Sequence, residues 1–165
     1  MTIGFMLMVG LIGGGLAGLA TSGLTNRNTL ELVRNRQYAA DGAIEESITQ
    51  VRIDMNAAIT TAIASGFSVQ SAVQTICASA GGSTPSPYVP LNTFLIRVDW
   101  VNACRDVQSS DGSVLKQRNV IFTAYECTGA SCDPAKVITR AQVNFQRASP
   151  TDATKTYVLA WSVNQ

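Results

Sequence analysis

The chain has 165 residues, with 12 Lys and Arg against 11 Asp and Glu, and no histidine. That length suits one domain of ordinary size, and the missing histidine removes the commonest general base and the commonest metal ligand. A net charge of +1 gives no support to nucleic-acid binding, which draws on a clustered basic face. The averages conceal an asymmetry. Residues 1–26 carry no charged side chain, so all 23 charges lie beyond them, and nine of the 11 aromatic residues follow residue 66. Two physical environments joined in one polypeptide argue against a plain soluble enzyme.

The first element is apolar. Met1–Leu24 reads MTIGFMLMVGLIGGGLAGLATSGL. As a helix it spans about 36 Å, more than the roughly 30 Å hydrocarbon layer of a bilayer. A helix is also the single-segment solution for a backbone in lipid, so a transmembrane segment is expected over residues 1–24. Gly10, Gly14 and Gly18 recur every fourth residue, which puts bare backbone on one helix face and suits close helix–helix packing. A secretory signal peptide needs a basic region before its apolar core. No Lys or Arg precedes Arg27, so Met1 is read as a processed end rather than the start of a removable signal.

Beyond Thr25 the polarity changes but the helical period continues. Val33, Ala40, Ile44, Ile48, Val51, Met55, Ile59 and Ile63 form an apolar stripe, with Arg34, Arg36, Glu45, Glu46, Arg52 and Asp54 available for other faces. No proline occurs before Pro85, and Gly66 is a natural stop. The expectation is one helix of about 60 residues, its second part (25–66) amphipathic and in need of a covering body.

From residue 67 to 165 the vocabulary turns to aromatic, β-branched, proline and glycine residues. A short helical piece is expected over Val69 to Cys77, then a loop from Gly81 to Pro90. Four period-2 runs follow: FLIRVDWV, NVIFTAYEC, KVITRAQVNF and TYVLAWSV. In the last, Tyr157, Leu159, Trp161 and Val163 share a face. The fold class is therefore α+β: a long N-terminal helix packed on a four-stranded antiparallel sheet.

Four cysteines in about 100 residues fit an oxidising, extracytoplasmic setting. Cys127 and Cys132 flank a turn between two strands, which leaves Cys77 and Cys104 to tie the loop region to the first strand. This is one of three possible connectivities. A zinc site is the rival reading, but it needs all four thiolates, and the spacings include no C-x2-C pair.

The residues GFMLMVGLIGGGLAGLATSGL followed by RNRQYAADGAIEESITQVR resemble the N-terminal helix of the type IV pilin and pseudopilin family, the YAADGAIE stretch being similar to that of PilX-like minor pilins. The likeness covers about the first 55 residues by sequence and is architectural beyond them. It implies a structural subunit of a pilus-like extracellular filament, polymerising through its hydrophobic helix. It also implies a leader removed by a prepilin peptidase, a methylated residue 1 (Met1), and a single-pass stage in the inner or cytoplasmic membrane before assembly at the cell surface. The implied partners are copies of itself or other pilins, together with the assembly machinery. Gly13, Gly14 and Gly15 fall where such helices loosen in assembled filaments. Phe5 stands where most such pilins carry a glutamate, which brings forward an alternative role as a minor or tip subunit priming assembly or secretion. A reading from another class is a helix-anchored extracytoplasmic binding domain.

Other residues invite chemistry less well. Asp41, Glu45 and Glu46 read as a solvated helix face. Arg34, Arg36 and Arg52 read as partners of Glu31, Asp41 or neighbouring subunits, each pair worth under about 1 kcal/mol. Trp100 and Trp161 are expected against the helix, and Gly129 to Lys136 as an exposed connector or contact loop. No nucleophile–base pair, P-loop or dinucleotide fingerprint is present. No catalytic, cofactor-binding or metal-binding residue is expected, and no nucleic-acid partner.

Overall fold

The structure, a computed structural model, describes residues 2–83, 89–91, 94–108, 110, 112, 114–129 and 131–164, with side chains from Asn26 onward except at 89–91, 114, 115 and 134. Helix α1 runs Thr2–Ala64 and helix α2 Val69–Cys77; the strands are β1 Gly81–Ser83, β2 Val89–Leu91, β3 Phe94–Asn102, β4 Arg105–Gln108, β5 Val114–Thr128, β6 Ser131–Gln146 and β7 Lys155–Val163. Met1 lies outside the described residues. The chain divides into two compact units, one ending at Arg36 and one beginning at Gln37. The first is helical, and its side chains from Asn26 to Asn35 are exposed.

The second unit holds the core. Ala39, Ala40, Ala43, Ile44, Val51, Met55 and Ile59 of α1 are buried in one cluster with Ile96, Val98, Val120, Phe122, Ala124, Ala141, Val143 and Phe145 of the sheet. Three alanines at the start of this stripe present little bulk, and Phe122 and Phe145 tile the opposing surface with ring centroids 6.4 Å apart. Ser47 sits inside the stripe, its hydroxyl donating to the Ala43 carbonyl at 2.8 Å, so its polar atom is satisfied within the helix. Ile48 and Ile63 are half-buried against the cluster.

Gly66 ends α1 as the sequence predicts. Its φ of +85° suits a residue without Cβ, and it allows Gly66 N to donate to Ile63 O at 2.9 Å and Phe67 N to Ala62 O at 3.0 Å. These are the paired bonds of a Schellman C-cap. Ser68 then caps α2, accepting from Ser71 N. Two residues thus stop one helix and start the next.

The sheet is antiparallel in the order β1-β3-β5-β6-β7, with β2 also pairing β3 and β4 pairing β5. It has seven strands, not four. The four long strands contain the four period-2 runs, with β5 and β6 each beginning five residues earlier than its run; the additional three have only three or four residues each, too few for alternation to register. β1 lies in the segment from Gly81 to Pro90 read as loop, and β2 begins within it and extends to Leu91. Gly81 approaches β3 so closely that a Cβ there would stand 2.0 Å from the Trp100 carbonyl oxygen, which is why a residue weak in strands occupies this one.

Cys77 is bonded to Cys104 and Cys127 to Cys132. The first bridge joins the end of α2 to the segment after β3. The second links residues directly opposite each other in the β5–β6 pairing.

One expectation is overturned. Among the described residues no helix is long and apolar enough to cross a membrane. The single-pass membrane stage, and the cell-surface location reached through it, are therefore withdrawn. The physical reason lies in α1 beyond Asn26. There Arg27, Glu31, Arg34, Arg36, Asp41, Glu45 and Glu46 follow at intervals too short to leave about 20 apolar residues. The side chains of residues 1–24, on which the transmembrane reading rested, lie outside the described residues.

Candidate functional site

The surface of α1 before Gln37 is built from a short amphipathic run. At 100° per residue, Leu30, Leu32 and Val33 fall within about 160° of helix circumference. Arg27, Glu31, Arg34 and Asn35 fall on the other side. All three apolar residues face solvent, with 70%, 58% and 54% of their surface exposed. On the polar side Arg27 Nε donates to Glu31 Oε1 at 3.2 Å, an exposed pair one turn apart that contributes under about 1 kcal/mol. Val33 heads the stripe read from the sequence, yet it is exposed while Ala40, Ile44 and Val51 are buried. It belongs to the unit that carries no sheet. Such side chains in water leave roughly 25 cal/mol per Å² of apolar surface unclaimed.

Gly10, Gly13, Gly14, Gly15 and Gly18 all lie within the continuous helix Thr2–Ala64. Helical spacing therefore keeps Gly10, Gly14 and Gly18 along one side. The loosening expected at Gly13, Gly14 and Gly15 concerned an assembled fibre; in this chain the segment is helical throughout.

The acidic trio separates. Asp41 accepts a hydrogen bond from Trp161 Nε1 at 3.2 Å, whereas Glu45 and Glu46 are exposed. Trp100 is half-buried against the core, 6.3 Å from Phe122 between ring centroids. Residues 131–136, read as part of a loop, already belong to β6. Among the described residues no group of three or more His, Cys, Asp or Glu side chains is placed to hold a metal ion.

Sequence reasoning missed a polar cluster. Arg118 Nε donates to Asn102 Oδ1 at 3.1 Å, and Asn144 Nδ2 donates to Asn119 Oδ1 at 2.7 Å and to the Arg118 carbonyl at 3.3 Å. Asn102 Nδ2 in turn donates to Ser79 O and to Ile76 O at the end of α2. The Arg118 guanidinium lies 5.7 Å from the Phe145 ring centroid. Burial pushes the pKa of Arg118 down to about 10, with Asp54 acting in the opposite direction. Each member is engaged by another, so the cluster joins β3, β5, β6 and α2 rather than offering free groups to a ligand. A groove of about 280 Å³ beside α2, lined by Gln70, Lys116, Gln117 and Arg147, is similar. There Lys116 Nζ bonds Asp106 Oδ1 at 2.8 Å, and Gln117 bonds Arg105 and Asn144.

Comparison with protein-family models, with curated proteins and with solved structures gave no match.

Proposed function

We propose that the chain is a structural subunit of a type IV pilus-like filament, assembling through α1. The single observation that carries this reading is the exposed apolar run Leu30, Leu32 and Val33 on a helix that continues to the N-terminal side with the glycines at 10, 14 and 18. A helix side of this kind is stabilised by burial against other helices. The α+β architecture supports the same reading, with a long N-terminal helix, an antiparallel sheet over its later part, and two disulfides. The resemblance of the first 55 residues to pilins supplies the family. Partners are then copies of this chain or other pilins, with a peptidase and assembly machinery acting on them.

Phe5 favours a second role within this class, a minor subunit that starts or tips the filament. The two roles differ in abundance along a fibre, which immunogold labelling counts directly.

The test uses the full chain. Sedimentation and electron microscopy are expected to show fibres of the wild-type protein, and Leu30→Lys with Val33→Lys is expected to abolish them. Both native disulfides and the far-ultraviolet spectrum should be unchanged in that variant, because both residues are exposed on the surface of α1. Fibres that persist in the double variant, or a wild-type chain that stays in single particles, would refute the reading.

A further inference from the structure

The sheet is wider than the helix that covers it. A helix about 10 Å across lies over roughly two strands spaced about 4.8 Å apart, whereas the path β1-β3-β5-β6-β7 is five strands wide. Residues directly opposite each other in an antiparallel pair share a face. Val158 stands opposite Val143, Trp161 opposite Ala141 and Val163 opposite Thr139, so all three lie on the face that α1 covers. Their partners in β6 are buried, yet Val158, Trp161 and Val163 are 56%, 37% and 37% exposed. The hydrogen bond from Trp161 Nε1 to Asp41 Oδ1 fixes α1 as the neighbour of this uncovered strip. Tyr38 and Glu45, one turn to either side of Asp41, fall on the same flank of the helix, and both are exposed. The result is a ledge within residues 37–165, with an apolar floor on β7 and an acidic wall on α1. The next charge along that flank, Arg52, lies about 10 Å beyond Glu45.

We infer that this ledge seats the exposed turns of α1, residues 27–34, of a second copy; this rests on the filament reading proposed above and names the surface those turns meet. Two observations choose the occupant. The first is charge. The ledge suits a helix whose apolar side is bordered by positive groups, and this chain displays one. At 100° per residue, Arg34 and Arg27 lie about 40° and 60° to one side of Leu30, and Val33 about 60° to the other. Leu30 and Val33 are exposed. From Asn26 to Arg36 the helix carries three arginines and one glutamate, opposite in sign to Asp41 and Glu45. Leu30 and Val33 then cover Val158 and Trp161, and Arg34 meets Glu45, a rim pairing that sets register more than affinity. From Thr156 to Val163 the strand has no charge, so nothing of like sign opposes the seating. The second observation is that turns and ledge belong to different units of the chain. Each copy gives its turns to one neighbour and its ledge to another, a heterologous contact that repeats without pairing off, as a filament requires.

Cross-linking in fibres of the full chain tests this. Val33→Cys and Val158→Cys variants are mixed before assembly, and the fibres are mildly oxidised. Mass spectrometry should find a disulfide between position 33 of one copy and position 158 of another. Val33→Cys mixed with Val101→Cys should give none, because Val101 is exposed on the opposite face of the sheet from Trp100. Arg34→Glu should lower the sedimented fraction several-fold. Adding Glu45→Arg to the same chain should restore it, since the pair is then reversed across the contact, while within one helix the two positions are about 16 Å apart. Wild-type fibres whose cysteine variants lack the 33–158 link, or link 33 and 101 equally, overturn the inference and leave the filament reading in place. Where a cysteine variant forms no fibres, failure of the charge exchange to restore them overturns it as well. A wild-type chain that forms no fibres removes the filament reading and this inference with it. Intact Cys77–Cys104 and Cys127–Cys132 bridges certify the fold of each variant.

Discussion

Trp161 Nε1 donates to Asp41 Oδ1 at 3.2 Å, joining the last strand to a turn of α1 across 120 positions of sequence. Asp41 follows the buried pair Ala39 and Ala40 on α1, and Trp161 stands opposite Ala141 in the sheet. The bond therefore fastens an otherwise solvent-facing edge strand to the helix that carries the core. Trp161→Phe keeps a ring and deletes the donor. It is expected to lower unfolding free energy by about 0.5–1 kcal/mol, at the modest end for a partly exposed bond. A double-mutant cycle with Asp41→Ala, measured by urea unfolding, checks it: the second change should add almost nothing once the first is made.

The two disulfides differ in the loop they close, 27 against five residues of sequence separation. Loop-closure entropy then assigns about 3.5 kcal/mol to Cys77–Cys104 and about 2 kcal/mol to Cys127–Cys132. Paired Cys→Ser variants compared in denaturant should rank in that order. The reverse order would show that the short bridge stabilises mainly by holding the β5–β6 turn.

Ile44 and Ile59 are fully buried on α1, whereas Leu30 is largely exposed. Ile44→Ala should cost about 2–5 kcal/mol through lost transfer energy and a residual cavity. Leu30→Ala should stay within about 0.5 kcal/mol in the unassembled chain. Thermal unfolding of the two variants at equal concentration separates them.

Burial lowers the folded-state pKa of Arg118 to about 10, well below the ordinary guanidinium range. For a base with a depressed pKa the unfolded chain holds its proton longer than the folded chain. The stability contributed by this group therefore rises as pH climbs above about 10 towards the ordinary guanidinium range, and below pH 10 the cost of burying the charge is fully present. Arg118→Met should abolish that increment. At pH 7 it should lower stability by about 1–3 kcal/mol, because Asn102 Oδ1 loses the Arg118 donor and the contact with the Phe145 ring is removed. Chemical unfolding at pH 7 and pH 11 of both proteins gives the comparison.

Much of the fold was legible because neighbours in the chain encode it. The stripe from Ala40 to Ile63 requires only helical spacing, and Gly66 with Ser68 marks a helix end and start by local bonding alone. The four long strands announce themselves through alternation. The exposed run at Leu30, Leu32 and Val33 was half-visible: Val33 was placed in the stripe, but its lack of cover was not.

What the sequence determined by itself is the two helices and the four long strands, since propensity, period and capping act over a few residues, whereas the short strands β1, β2 and β4 left no such trace. Tertiary structure alone decided how those elements meet. A bulge between Gln142 and Val143 sets Trp161 opposite Ala141 but Val158 opposite Val143, so Tyr157, Leu159, Trp161 and Val163 do not share one face as strict alternation predicts. Asn56, half-buried on α1, accepts from the Thr154 hydroxyl at 2.7 Å and anchors the segment between β6 and β7. Pairings of this kind join residues tens of positions apart, where the choice of partner depends on the packed geometry of the whole unit and leaves no periodic trace.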